Sequence, residues 1–169
     1  MSNASASGWR WLPLSAAVIV ADQLVKAWIV HHFALFERVH ELPVLDIILT
    51  YNRGAAFSFL SDASGWQRWL FVILALIVST ALIIWMGRLR ARVHTLLACA
   101  LALIVGGALG NMIDRISTGR VVDFIHVHWG RHYFPAFNIA DSAITVGALL
   151  LLLDAWREVR AARKVVVRA

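Results

Sequence analysis

The stretch VHTLLACALALIVGGALGNMI, residues 93–113, contains no lysine, arginine or carboxylate. A bilayer core needs about 20 apolar residues of helix, because only a helix satisfies its own backbone hydrogen bonds in lipid. Gly106 and Gly110 stand one turn apart on this run and form a small-xxx-small face that lets another helix backbone come close. Working outward, three more stretches have the length and composition of a span: Trp11 to Val30, Gln67 to Met86 and Asn138 to Ala155. The expected fold is an all-α membrane protein of four transmembrane helices, a single integral membrane domain over 1–169 with outer segments at 31–66 and 114–137. The first stretch is read as a retained anchor rather than a cleaved leader, since it carries Asp22 and Lys26 and lacks a small-x-small cleavage motif.

Composition agrees. The 169-residue chain is 60% hydrophobic and 15% charged, with a mean hydropathy of +0.72, which is too apolar for an ordinary soluble domain. The net charge of +6 does not indicate a nucleic-acid partner, because no soluble face displays it. Its use is topological. Arg10 precedes the first span, Arg88, Arg90 and Arg92 join the second to the third, and Arg157, Arg160, Arg163, Lys164 and Arg168 follow the fourth, so the positive-inside rule puts both termini and the second connection in the cytoplasm. Trp9, Trp11, Trp85 and Trp156 fall at inner ends, and Trp28, Trp66 and Trp69 at outer ends, as an aromatic belt requires. Cys99 has no partner for an intrachain disulfide and reads as a small buried residue. The first outer connection, ELPVLDIILTYNRGAAFSFL, reads as short strands broken at Asn52-Arg53-Gly54, a small sheet on the membrane.

Ionisable residues inside spans cost about 2.5 to 3.5 kcal/mol each at a helix centre, so each needs a partner or a task. Asp22 and Lys26 are one turn apart and neutralise one another, either to order a site or to touch substrate. Asn111, Asp114 and Arg115 share the outer end of the third span, where Asp114 pairs with Arg115 or caps a loop. Asn138 is expected to cap the fourth span, and Asp141 one turn later complements the helix dipole. Asp123, in GRVVDFIHVHW, and Asp141 are read as carboxylates without a cation partner. If the third and fourth helices pack together these two converge, and two close carboxyls hold one proton between them, the arrangement an aspartic protease uses. Asn52, Asn111 and Asn138 add amides suited to holding substrate backbone without adding charge.

These residues carry a resemblance to bacterial lipoprotein signal peptidase, also called signal peptidase II. ADQLVK at Ala21 to Lys26, YNRGAAFSFL at Tyr51 to Leu60, GGALGNMIDR at Gly106 to Arg115, VVDF at Val121 to Phe124 and FNIADSAI at Phe137 to Ile144 occur in the family's order and span nearly the whole chain. The resemblance implies an intramembrane aspartic peptidase of the bacterial inner membrane, independent of metal and of any cofactor, with its active site near the periplasmic face. It implies removal of signal peptides from lipidated preproteins just before a diacylglyceryl-modified cysteine. It puts the catalytic pair on Asp123 and Asp141 and supporting residues on Asp22, Lys26, Asn52, Gly54, Asn111, Asp114, Arg115 and Asn138. Membrane lipids and the peptide antibiotic globomycin are the other partners it implies, and the chain is expected to act as a monomer. Arg53 departs from the family, which commonly has a small hydroxyl residue there.

Three rival readings are weaker. His126, His128 and His132 crowd one outer segment, but no HExxH accompanies them and they read as headgroup-level histidines rather than a metalloprotease site. Ser64 has no helix-borne histidine to activate it. A small proton or ion transporter would use Asp22, Lys26 and Asp141 as relays, yet no polar file continues to the cytoplasmic side.

Overall fold

The computed structural model describes residues 7–54, 64–90 and 94–166, with the side chains of Glu41, Ala162 and 164–166 left out of the description. A short 3-10 turn at Gly8–Trp11 leads into α1 (Leu12–His32), followed by β1 (Arg38–Leu42), β2 (Leu45–Asn52), α2 (Trp66–Arg88), α3 (Thr95–Thr118), β3 (Val121–Trp129), β4 (His132–Tyr133) and α4 (Ile139–Val166). All four helices are long and apolar enough to cross a membrane. They show large apolar side chains on their outside, among them Leu24, Ile73, Ile77, Leu149 and Leu152, as a lipid-facing surface must. α4 runs beyond the expected span, past Trp156 to Val166.

The run that decided the fold lies at the centre of the bundle. α3 buries residues along its whole length, from Leu97 to Asp114, whereas α2 buries only four. Glycine makes this possible on two faces. A Cβ on Gly106 would stand 2.9 Å from the Ser15 carbonyl oxygen of α1, and one on Gly107 would collide with the Ala140 carbonyl of α4. The approach is reciprocated lower down, where a Cβ on Gly147 of α4 would come 2.7 Å from the Ala100 carbonyl. Such contact replaces the hydrophobic drive that helices lack inside lipid. At the end opposite the sheet, Ser7 donates through Oγ to the Gly87 carbonyl at 3.1 Å and Trp9 through Nε1 to the Ile83 carbonyl at 3.0 Å, so the N-terminus packs on the end of α2.

The expected sheet is present and larger than the sequence indicated. β1 and β2 come from the first outer connection, β3 and β4 from the second, and all pair antiparallel in the order β1-β2-β3-β4. Leu49, Val122 and Phe124 pack its underside against Ile29 near the end of α1. The β2–β3 ladder slips between Ile47↔Ile125 and Thr50↔Asp123, setting two residues of β2 against one of β3. On the other side of β3, the Phe124 and Ile125 amides both donate to the Phe137 carbonyl, at 3.0 and 2.8 Å. Beyond this irregularity β3 lines the central cleft with His126 rather than with the odd-numbered set of Val121 and Asp123.

Gly107→Ala is expected to force α3 and α4 apart at the level of Ala140, destabilising the bundle by about 1–3 kcal/mol. Thermal unfolding in detergent would show this as a lowered midpoint, and an unchanged midpoint would mean that the helices do not meet there.

Candidate functional site

Every residue singled out from sequence for the site lies at the sheet-bearing end of the helices, within one connected polar network. Its centre is Lys26. The ammonium, on a residue only 3% exposed, stands 2.7 Å from Asp22 Oδ2 and 2.8 Å from Asp114 Oδ2 and donates to Asn111 Oδ1 at 2.9 Å. Three protons thus meet three acceptors. Asp22 reaches beyond the pair, since its Oδ1 accepts from the Ala140 amide at 2.9 Å and so ties α1 to the first turn of α4. Asp114 likewise accepts from the Val122 amide at 3.2 Å, fastening the start of β3 to α3. Of the two roles open to Asp114, pairing with Arg115 is not the one adopted. Arg115 turns away to the Gly54 carbonyl at 2.7 Å and the Asn111 carbonyl at 3.3 Å, and lies over the Phe71 ring.

The cap predicted for the fourth helix is present. Asn138 Oδ1 accepts from the Asp141 amide at 2.8 Å, while Asp141 Oδ2 accepts from the Asn138 amide at 3.3 Å, a reciprocal capping box at the N-terminus of α4. The cap side chain does further work, because Nδ2 of Asn138, a residue with no exposed surface, donates to Asp123 Oδ1 at 2.7 Å and to Asn111 Oδ1 and the Val122 carbonyl, each at 3.2 Å. Asn111 Nδ2 donates to Asp141 Oδ1 at 2.7 Å. Asn138 therefore touches both Asp123 and Asp141, and neither carboxyl has an ion-pair partner among the described residues. Asn52 hydrogen-bonds Asp123 from β2, and its Oδ1 accepts from the Gly54 amide at 2.9 Å, shaping the turn that receives Arg115. Burial first, and the charge of Asp141 second, push the Asp123 carboxyl up to about 7 against the opposing pull of Asn138, Asn52 and Lys26.

Both carboxyls line a cleft of about 860 Å³ together with Asn52, Asn111 and Arg115, under walls formed by Ile48, Val121, Phe137, Ile144 and Val146. Arg53 stands exposed at its rim. The remainder of the YNRGAAFSFL block falls in 55–63, outside the described residues. Sequence reasoning missed Gln23, whose Nε2 donates to Asp114 Oδ1 at 2.8 Å, the Gly110 carbonyl at 3.2 Å and Asp22 Oδ2 at 3.3 Å. An uncharged residue beside Asp22 gave no energetic reason to notice it. Exposed His132 belongs to β4, and the residues that approach His128 are His40 and Asp46.

A polytopic membrane bundle with two carboxyls in one cleft, neither in an ion pair among the described residues, points to a class of intramembrane enzyme, and comparison with known proteins narrows it. Residues 14–157 match the family described as Signal peptidase (SPase) II. A lipoprotein signal peptidase of Pseudomonas fluorescens is 53% identical over 161 residues, covering 93% of this chain and 94% of the relative. One from Pseudomonas aeruginosa strain UCBPP-PA14 is 54% identical over 149 residues, 87% and 88% of the two chains. A solved bacterial membrane enzyme superposes with a TM-score of 0.80 at 32% identity, covering 89% of each chain. The chain belongs to the signal peptidase II family, multi-pass membrane peptidases that remove signal peptides from prolipoproteins.

Lys26→Met would leave Asp22 and Asp114 buried without their cation, a loss of about 3–5 kcal/mol. Removing Asp114 as well, in Lys26→Met/Asp114→Asn, is expected to restore part of that stability, and strictly additive losses would show that the pair is not coupled. The raised Asp123 carboxyl stabilises the fold fully below the usual aspartate range, and this contribution is lost as pH rises through about 7. The thermal midpoint of wild type should therefore fall relative to Asp123→Asn as pH rises through that value, and parallel profiles would contradict the burial.

Proposed function

We propose that the chain is an aspartic endopeptidase of the bacterial inner membrane, cutting lipidated preproteins on the N-terminal side of the diacylglyceryl-modified cysteine with Asp123 and Asp141 as its catalytic pair. The observation that carries this reading is that one residue, Asn138, donates to both carboxyls at the wall of a single cleft, through its side-chain amide to Asp123 and its backbone N–H to Asp141. Two such groups in a low-dielectric site hold one proton between them. The unprotonated member takes a proton from water as the water oxygen attacks the scissile carbonyl carbon. The protonated member donates to the developing oxyanion, and on collapse the leaving nitrogen receives a proton while the C–N bond breaks. Asn52, Asn111 and Asn138 orient the carboxyls, and the Lys26 cluster fixes the helices that bear them.

The apolar cleft walls suit the hydrophobic segment of a signal peptide, and the half-exposed Val146 at the cleft lies where lipid-embedded substrate would enter. The peptide antibiotic globomycin would occupy the same cleft. Arg10, Arg88, Arg90 and Arg157 lie toward the helix ends opposite the sheet, which supports cytoplasmic termini and a site near the periplasmic face. One chain supplies the whole polar set, which supports a monomer.

Asp123→Asn and Asp141→Asn are each expected to lower cleavage of a diacylglyceryl-modified preprotein by about a thousandfold or more while the protein remains folded. Full cleavage by either variant would overturn the pair. Wild-type cleavage should decline as pH rises through about 7, where Asp123 gives up its proton.

A further inference from the structure

At the far end of the sheet a second group of side chains gathers, one from each of three adjacent strands: His40 of β1, Asp46 of β2 and His128 of β3. We propose that they form a site for one divalent transition-metal ion of the zinc class, separate from the aspartate pair and fastening β1 to β3 beside the cleft. Neither the proposed cleavage nor its mechanism depends on this site.

The register brings the ligands together. His40 pairs with Asp46, and Asp46 with His126, across neighbouring strands, so all three project from one face, and His128 shares it two residues further on. One ligand atom from each of His40, Asp46 and His128 lies within 4.8 Å of the others. His128 Nε2 stands 3.2 Å from Asp46 Oδ1, already close to the roughly 3.3 Å between ligand atoms around a tetrahedral zinc ion with bonds of about 2.1 Å. His40 Nδ1 is closer, at 2.6 Å from the same oxygen, the distance of a hydrogen bond whose proton a metal would replace. Its side chain is 70% exposed, so it has room to withdraw and leaves water access to the remaining coordination position. Two imidazoles and one carboxylate suit zinc and its neighbours, whereas calcium asks for about six to eight oxygens.

A second observation points to a missing ligand. The Asp46 side chain is wholly buried, yet its Oδ2 makes no hydrogen bond. Arg38 Nε approaches only to 3.6 Å, while its guanidinium lies over the Tyr133 ring. Three of the seven buried, unpartnered side-chain polar atoms among the described residues lie on this one face, namely Asp46 Oδ2, His126 Nδ1 and His128 Nδ1. Such a concentration calls for an ion or water to complete it. His128 stands five residues beyond Asp123 on β3, about 16 Å along a strand, too far for the ion to touch the aspartate chemistry. His126 lies between them, stacked on Tyr133 and lining the cleft, so the ion would stiffen that wall.

Tag-free protein in detergent, stripped with chelator, is titrated with zinc at neutral pH against a chromophoric chelator. One equivalent should bind, and His40→Asn and His128→Asn should each weaken it by at least about tenfold, while His31→Gln, on α1, leaves it unchanged. His40 is exposed, so its variant has no reason to misfold, and zinc should raise the thermal midpoint of wild type but not of His40→Asn. No binding, or binding untouched by both His40→Asn and His128→Asn, would overturn the site.

Discussion

A buried ammonium must have acceptors for all of its protons, and the arrangement of this protein follows from how Lys26 finds them. Asp22 comes from its own helix, Asp114 and Asn111 from α3, and the two carboxylates use their remaining oxygens to hold the Ala140 amide of α4 and the Val122 amide of β3. Inside a membrane no solvent relieves an error in that arrangement, so the cluster sets the relative positions of three helices and the root of the sheet. The close approach of α3 to its neighbours at Gly106 and Gly107 has the same effect from the apolar side.

With the cation engaged by Asp22 and Asp114, the other two carboxyls are left with amides. Asn138 caps α4 and touches Asp141 and Asp123, Asn111 joins Asp141 to Lys26, and Asn52 reaches Asp123 from β2. An uncharged amide orients a carboxyl without fixing its proton, which is the property a pair sharing one proton needs. The slipped β2–β3 ladder and the double donation to Phe137 settle which side chains of β3 meet the cleft.

Much of this was legible in the sequence. The apolar runs marked four helices, Asn138 three residues before Asp141 announced a cap, and Asp22 one turn before Lys26 announced a pair. What sequence spacing could not supply was the set of contacts between distant segments. Asp114 looked equally able to pair with its neighbour Arg115, and only the packing of α1 on α3 decides for Lys26. Gln23 carries no charge and so no cost that would flag it, although it bridges α1 and α3. The histidines of β3 were grouped with His132 by nearness along the chain. The turn at Gly130, with φ of 58°, sends β4 back along β3, and pairing with β2 brings Asp46 and His40 in its place.

In the proposed reading, Asp123 and Asp141 hold one proton between them because the Lys26 ammonium is committed to Asp22 and Asp114. Infrared spectroscopy of the protein in lipid, with isotopically labelled aspartate, reads this directly through the carbonyl stretch of a protonated carboxyl. One such band is expected below neutrality, titrating away as pH rises through about 7 and missing from Asp123→Asn. A wild-type spectrum with no protonated aspartate just below neutrality, or a band that persists in Asp123→Asn, would contradict it.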